Sequence, residues 1–255
     1  LWAAPLTRNY GLVGVAFDYL LRFYVERLNP QALTRRWAAE HVLGYVIQFA
    51  AESGATDLAQ TARQMVAEAR VNHAAFLRSG RITADLLRSA LLLAQLDIVY
   101  RTGTLDLVLR TFGTVDPRDM DDLERLLSLV DPAAFTAAEV CLLNPGFGDA
   151  SLLVRGADAA LVIDGTLIEI KTTKNLRLKE EDFHQLVGYY TLYRLGGITD
   201  MPPHHLIERL GIYYARHAHL YTVAVRDVID EGTFPAFLDW FQAEAARQFG
   251  GPPPR

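Results

Sequence analysis

Two carboxylates and an ammonium stand close together in one short segment, Asp158, Glu169 and Lys171 within GADAALVIDGTLIEIKTTK (156–174). A carboxylate pair offers hard oxygen donors suited to a divalent cation such as Mg2+ or Mn2+. A lysine beside it adds a compact positive charge that can steady a developing anion. Groups of this kind can hold a cation that makes a water nucleophilic near neutral pH.

The element that must position them reads as a β-hairpin. Two β-rich runs, 159–163 and 166–170, flank Asp164-Gly165, a dipeptide that favours a two-residue type I′ turn. That turn sets Ile163 opposite Thr166, Val162 opposite Leu167, Leu161 opposite Ile168, Ala160 opposite Glu169 and Asp158 opposite Lys171. Side chains alternate along a strand, so Ala159, Leu161, Ile163, Ile168 and Ile170 should share an apolar face. Asp158, Ala160, Glu169 and Lys171 should share the other. Charges inside an otherwise apolar hairpin are costly unless paired or bound to an ion. The bland alternative is an edge hairpin with a solvated Asp158–Lys171 salt bridge.

The hairpin resembles the active-site signature of the PD-(D/E)XK nuclease superfamily, in which an Asp on one strand and an acid-x-Lys on the next hold a divalent metal and a water. Glu169-Ile170-Lys171 supplies the acid-x-Lys element. Downstream, Gln185-Leu186-Val187-Gly188-Tyr189 is similar to the Gln-x-x-x-Tyr motif of the RecB-like branch, with Gln185 and Tyr189 four apart on one side of a predicted helix. The resemblance spans about residues 144–225. It implies a DNA-cleaving enzyme with Asp158, Glu169 and the backbone carbonyl of Ile170 as ligands for Mg2+ or Mn2+. Lys171 would assist the water, and Gln185 and Tyr189 would face the metal site and the strand. In the family the first acid sits directly across the hairpin from the acid of acid-x-Lys, and here that position is Ala160. Either Asp158, one side-chain repeat away, does the work through a bulge or register shift, or the acid was lost, naturally or by deliberate replacement. In the second case the chain is a catalytically inactive nucleic-acid-binding or assembly module of the same fold.

Composition frames this reading. At 255 residues and 51% hydrophobic content the chain can bury one large core or two modest ones. No run of about 18 uncharged apolar residues is present, so no membrane helix is expected. Cys141 is the only cysteine, which excludes an internal disulfide and the four-cysteine iron–sulfur cluster of some RecB-like nucleases. The single thiol and the lack of a leader pattern fit a cytoplasmic protein. A net charge of −5 disfavours indiscriminate coating of nucleic acid. Lys174, Arg177 and Lys179 nevertheless follow the candidate site closely and are expected to contact the DNA backbone. A homo-oligomer or a protein partner from a defence or repair system is compatible with these features.

Along the chain, residues 9–28 read as a largely buried helix, followed by helices over 34–52, 56–78 and 83–101, with Thr83 capping the last and Gly103 beyond its end. Asp116-Pro117 opens another, with Asp116 as cap. Asp119, Asp121, Asp122 and Glu124 in its first turns are expected mainly to complement its N-terminus. After Pro145 the pattern predicts a strand over 151–154, the hairpin, a helix over 180–195, strands over 211–215 and 220–225, and a helix over 234–249. The core stripe of the 180–195 helix should be Phe183, Leu186, Val187, Tyr190 and Tyr193. Residues 251–255 should form a disordered tail.

The resulting expectation is an α/β protein with a restriction-endonuclease-like mixed-sheet core (136–250), preceded by a helical region (1–135) comprising the first core helix and a helical insertion. Glu40 and His41 are retained as additional candidate ligands, although a lone helical His is more often structural. His204-His205 should lie in a loop, and His184 should point away from the site. Gly146-Phe147-Gly148 lacks the Gly-Lys-Ser/Thr ending of a phosphate-binding loop.

Overall fold

The computed structural model describes residues 1–34, 36–102 and 111–250. Helix α1 (Tyr10–Leu28) comes first, followed by a two-residue strand β1 (Leu33–Thr34) and helices α2 (Ala38–Ser53), α3 (Thr56–Ser79), α4 (Ala84–Thr102) and α5 (Pro117–Ser128). Strands β2 (Cys141–Leu143), β3 (Leu161–Ile163) and β4 (Thr166–Lys171) follow. Helix α6 (Glu180–Gly196), strands β5 (Arg209–Tyr214) and β6 (His219–Ala224) and helix α7 (Phe234–Phe249) complete the order.

The six strands form one mixed sheet in sequence order. The pairs β1·β2 and β4·β5 are parallel, and β2·β3, β3·β4 and β5·β6 are antiparallel. The sheet separates two apolar cores. On one face, Leu161, Ile163, Ile168 and Tyr213 pack with α1 and the helices that follow it, through Phe17, Leu20, Leu91 and Leu126. The core is therefore continuous across the expected boundary at residue 135. On the other face, Val162, Leu167, Leu210 and Ile212 pack with Leu186 and Tyr190 of α6 and with Phe234 at the start of α7.

The predicted helices appear within a few residues of their expected ends. Thr83 caps α4, its Oγ1 accepting the Leu86 N–H at 3.2 Å, and Asp116 caps α5 by accepting the Arg118 N–H at 2.9 Å. Gly103 and the 251–255 tail lie outside the described residues. Helix α2 begins four residues later than expected. Residues 33–34 pair with β2 instead, and the Glu40 carboxylate accepts the Trp37 N–H at 3.0 Å at the start of α2.

Three expectations need correction. Residues 151–154 are not a strand but the end of a 3-10 segment, Gly148–Val154. Ser151 explains this, since its Oγ accepts the Phe147 N–H and donates to the Ala157 carbonyl, a local closure that competes with extended pairing. The acidic residues of α5 also do more than complement its N-terminus. Asp122 and Arg216, both side chains 1% exposed, meet in two bonds of 2.8 Å. Asp119 accepts from Thr7 and Asn9. The α6 stripe is shifted too: Leu186, Tyr190, Thr191 and Leu192 are buried, while Phe183, Val187 and Tyr193 are half-buried.

Candidate functional site

The hairpin has the register set by its turn, with Ile163 opposite Thr166, Val162 opposite Leu167 and Leu161 opposite Ile168. Asp164 (φ 42°) and Gly165 (φ 79°) take the two positive-φ positions of the turn. Beyond Leu161 the ladder stops, so the pairs Ala160–Glu169 and Asp158–Lys171 do not form. Asp158 bridges Gly146 on the β2 side instead.

The cause is a break in strand alternation. The Ala159 N–H donates to Pro145 O at 3.0 Å while the Ala160 carbonyl accepts the Asn144 N–H at 3.0 Å, so two consecutive residues turn to the same neighbour. Asn144, which faces this break from the end of β2, is itself in the left-handed region at φ 55°. In consequence Ala159 packs with Val162 and Leu167 on the α6 face, and Ala160 joins Leu161 on the α1 face, the reverse of the expected alternation. The bulge also opens the edge of β4. Hairpin parity points the Ile170 carbonyl toward the β3 side, where the Ala159 N–H that would have met it is bonded to Pro145.

This opening is the floor of a cleft of about 430 Å³, lined by Asp158, Ala160, Glu169, Ile170, Gln185 and Tyr189. Its remaining wall is α1, through Gly14, Val15 and Asp18. Gly14 allows the close approach, since a Cβ there would lie 2.9 Å from Thr172 Oγ1, just past the end of β4. Asp18, one turn further along α1, is thereby brought to Glu169. Asp18 Oδ2 pairs with Arg22 at 3.1 Å, while Asp18 Oδ1 is buried without a hydrogen-bond partner. A buried carboxylate oxygen left in this way is costly, and a cation in the cleft would satisfy it.

The electrostatics follow from this crowding. Burial, and secondarily the charge of Asp18, hold the Glu169 carboxyl above the usual range, although Lys171 pulls the other way. Burial and the Glu169 charge likewise raise the Tyr189 phenol. Burial works against the Arg22 charge, but Asp18 and its other anionic neighbours, Asp158 included, outweigh it and raise the guanidinium. Arg22 also donates to Asn144 Oδ1, tying α1 to the bulge.

Lys171 lies on the Glu169 side of the sheet, 3.3 Å from Glu169 Oε1 and 3.4 Å from Asp182. Its Nζ donates to Gln185 Oε1 at 2.8 Å, and Gln185 Nε2 donates to Tyr189 Oη at 2.7 Å. Tyr189 stacks on Phe147 at 5.4 Å between centroids. The acid-x-Lys element and the Gln-x-x-x-Tyr helix thus form one hydrogen-bonded chain. Lys171 forms ion pairs with Glu169 and Asp182.

The other sequence candidates separate. Glu40 is taken up elsewhere, capping α2 and bonding Arg70 through contacts of 2.6 and 2.9 Å. His41 is exposed and lines a neighbouring groove of about 1050 Å³ rather than the cleft. That groove shares Asn144, Gly156, Ala157 and Asp158 with the cleft and carries Arg36 and Arg155. Lys174, Arg177 and Lys179 are exposed and line neither space, and Lys174 is engaged with the Tyr10 hydroxyl at 2.9 Å. His184 is exposed beside Glu180, facing away as expected. Sequence reasoning missed Asp18, Arg36 and Arg155. For Asp18 a signal existed: an i,i+4 acid–base pair, Asp18 and Arg22, interrupting an otherwise buried helix.

Oxygen donors from Asp18, Asp158, Glu169 and the Ile170 carbonyl suit Mg2+ or Mn2+. The three carboxylates are spread more widely than a closed coordination sphere, however. Among the described residues, the one group of three or more His, Cys, Asp and Glu with ligand atoms mutually within 4.8 Å is Glu139, His204 and His205. Magnesium usually keeps several waters and only one or two protein carboxylates, so a wider spread is compatible with it. No protein-family model, curated protein or solved structure significantly matches the chain. Among the described residues, no helix is long and apolar enough to cross a membrane.

Proposed function

We propose that this protein is a metal-dependent nuclease that hydrolyses DNA phosphodiester bonds, of the RecB-like PD-(D/E)XK type. The observation that carries the reading is the convergence of Asp18, Asp158 and Glu169 on one cleft whose Asp18 Oδ1 is buried and unbonded. The Lys171–Gln185–Tyr189 chain borders it. Support for a restriction-endonuclease-like core comes from the order α1, β2, β3, β4, α6, β5, with α2 to α5 as the helical insertion. The parallel β4·β5 pair is part of the same support.

Asp158 and Glu169 are the proposed ligands for Mg2+ or Mn2+, with Asp18 and the Ile170 carbonyl completing the protein's share. When bound, the ion neutralises phosphate charge and makes a water nucleophilic near neutral pH. Lys171 supplies an ammonium for the developing negative charge, and Gln185, fixed by Tyr189, holds that ammonium in place. Arg36, His41 and Arg155, which line the groove, would meet phosphates of the bound strand, and Lys174, Arg177 and Lys179 would meet backbone further out. The protein would work in the cytoplasm, in defence or in repair.

The test is cleavage of labelled single- and double-stranded DNA and RNA with Mg2+, Mn2+ or chelator. Cleavage of DNA should require metal, and Lys171→Met should lower it by about 10²–10³-fold, as loss of one charge-stabilising donor does. If Glu169→Gln and Lys171→Met both cut like the parent, the assigned roles are wrong. A second reading, an inactive binding module, is favoured by one observation: Ala160, where the resemblance expects an acid, lines the cleft. Cleavage gained only on Ala160→Asp would select it.

A further inference from the structure

At the turn end of the same sheet, Glu139, His204 and His205 bring a carboxylate and two imidazoles together. Their ligand atoms all lie within 4.8 Å of one another. His205 Nε2 is 3.2 Å from Glu139 Oε2, and the two imidazole rings are 4.6 Å apart between centroids. In a tetrahedral zinc site with bonds of about 2.0–2.2 Å, neighbouring ligand atoms sit about 3.4 Å apart. Glu139 and His204 are exposed outside helices and strands, so small side-chain rotations close the remaining gap.

The backbone beneath these groups is already held. The Asp164 carboxylate of the hairpin turn accepts the N–H groups of Ala138, Glu139 and Val140, which fixes the segment bearing Glu139. Those bonds keep the Asp164 carboxyl below its usual range although burial pushes it up, and the nearby His205 adds to the effect. On the other side of the turn, the Gly165 carbonyl accepts the Glu208 and Arg209 N–H groups at 2.9 and 3.2 Å. A Cβ at Gly165 would meet Leu206 O at 2.6 Å, so the His-bearing loop lies directly against the turn. The His205 N–H closes that loop onto Pro202 O at 3.0 Å. Two loops far apart in sequence are thus clasped to one turn with their nitrogen and oxygen donors facing each other.

We propose that Glu139, His204 and His205 form a zinc-binding site that cross-links these two loops and leaves a fourth position open to water. Two imidazoles and a carboxylate select zinc over the hard cations, which prefer all-oxygen sets. The site is separate from the carboxylate cleft, because the six residue steps from Gly165 to Lys171, at the far end of β4, span about 20 Å. Cys141 takes no part; burial pushes its thiol up to about 12.

The test uses tag-free, chelator-stripped full-length protein titrated with Zn2+ by calorimetry, in a Glu169→Gln background that disables the cleft. One equivalent should bind, and His204→Ala or His205→Ala should each weaken binding by more than about tenfold, the range seen when metal-site partners are removed. Zinc should also raise the melting temperature of Glu169→Gln but not of Glu169→Gln with His205→Ala. Melting curves without zinc check that each variant folds, and His205→Gln serves if the alanine variant does not. Binding that survives both histidine substitutions, or no binding to the Glu169→Gln protein at about 100 µM Zn2+, overturns the proposal, since a site of this class binds far more tightly.

Discussion

Replacing Asp122 by alanine should be one of the most damaging single changes outside the apolar core. Its carboxylate meets the Arg216 guanidinium in two bonds of 2.8 Å, with both side chains 1% exposed. Removing one partner of such a pair strands the other charge out of water, at a cost of about 3–5 kcal/mol. In a chain of this length each kcal/mol lowers the melting temperature by about 2–4 °C, so the expected fall is about 6–20 °C. Arg216 also donates to the Thr172 and Ala3 carbonyls, and that network joins the N-terminal segment, α5 and the end of β4. Because Thr172 follows Lys171, the substitution should also loosen the cleft. Urea and thermal unfolding of Asp122→Ala, Arg216→Met and the double variant measure the effect. The double variant, which leaves no buried charge, should be less destabilised than the sum of the singles. A loss below about 1 kcal/mol for Asp122→Ala, the range of an exposed ion pair, would refute the argument.

Two further outcomes follow from the cleft. The metal-free Glu169 carboxyl titrates above its usual range, so the folded state holds a proton that the unfolded state releases. Stability from this group is present below the ordinary glutamate range and is lost as pH rises through the raised value. Urea unfolding against pH should show that decline in the parent and not in Glu169→Gln, and parallel curves would contradict it. Gly14→Ala places a Cβ 2.9 Å from Thr172 Oγ1, whereas a Cβ at Gly11 in the same helix meets nothing within 4 Å. Gly11→Ala should therefore stabilise by up to about 1 kcal/mol, and Gly14→Ala should lose that gain and weaken metal binding. Equal stabilisation by both would show that α1 does not need to approach β4 so closely.

The hairpin was legible because its register is local: Asp164-Gly165 allows few turn types, and the register follows from the turn. The helices were legible through their apolar spacing and through the caps at Thr83 and Asp116. What defeated sequence reasoning was nonlocal. The bulge at 158–160 depends on Asn144 and Pro145, which meet that strand only in the folded sheet, so alternation placed Ala159 and Ala160 on the wrong faces. Strand β2 is too short to show a period, and Ser151 turned a strand-like run into a 3-10 segment. Asp18 lies on a helix far upstream, and only the Gly14–Thr172 approach brings it to Glu169. Glu40 looked available as a ligand because its role as cap and Arg70 partner lies in helix packing, not in spacing.

The most direct measurement is Mn2+ binding, by calorimetry or electron paramagnetic resonance, in a His205→Ala background that removes the zinc-type site. Asp18→Asn, Asp158→Asn and Glu169→Gln should each weaken the same single ion by more than about tenfold, because three elements supply ligands to one cleft. Unchanged Mn2+ affinity in Asp158→Asn and Glu169→Gln would contradict the account.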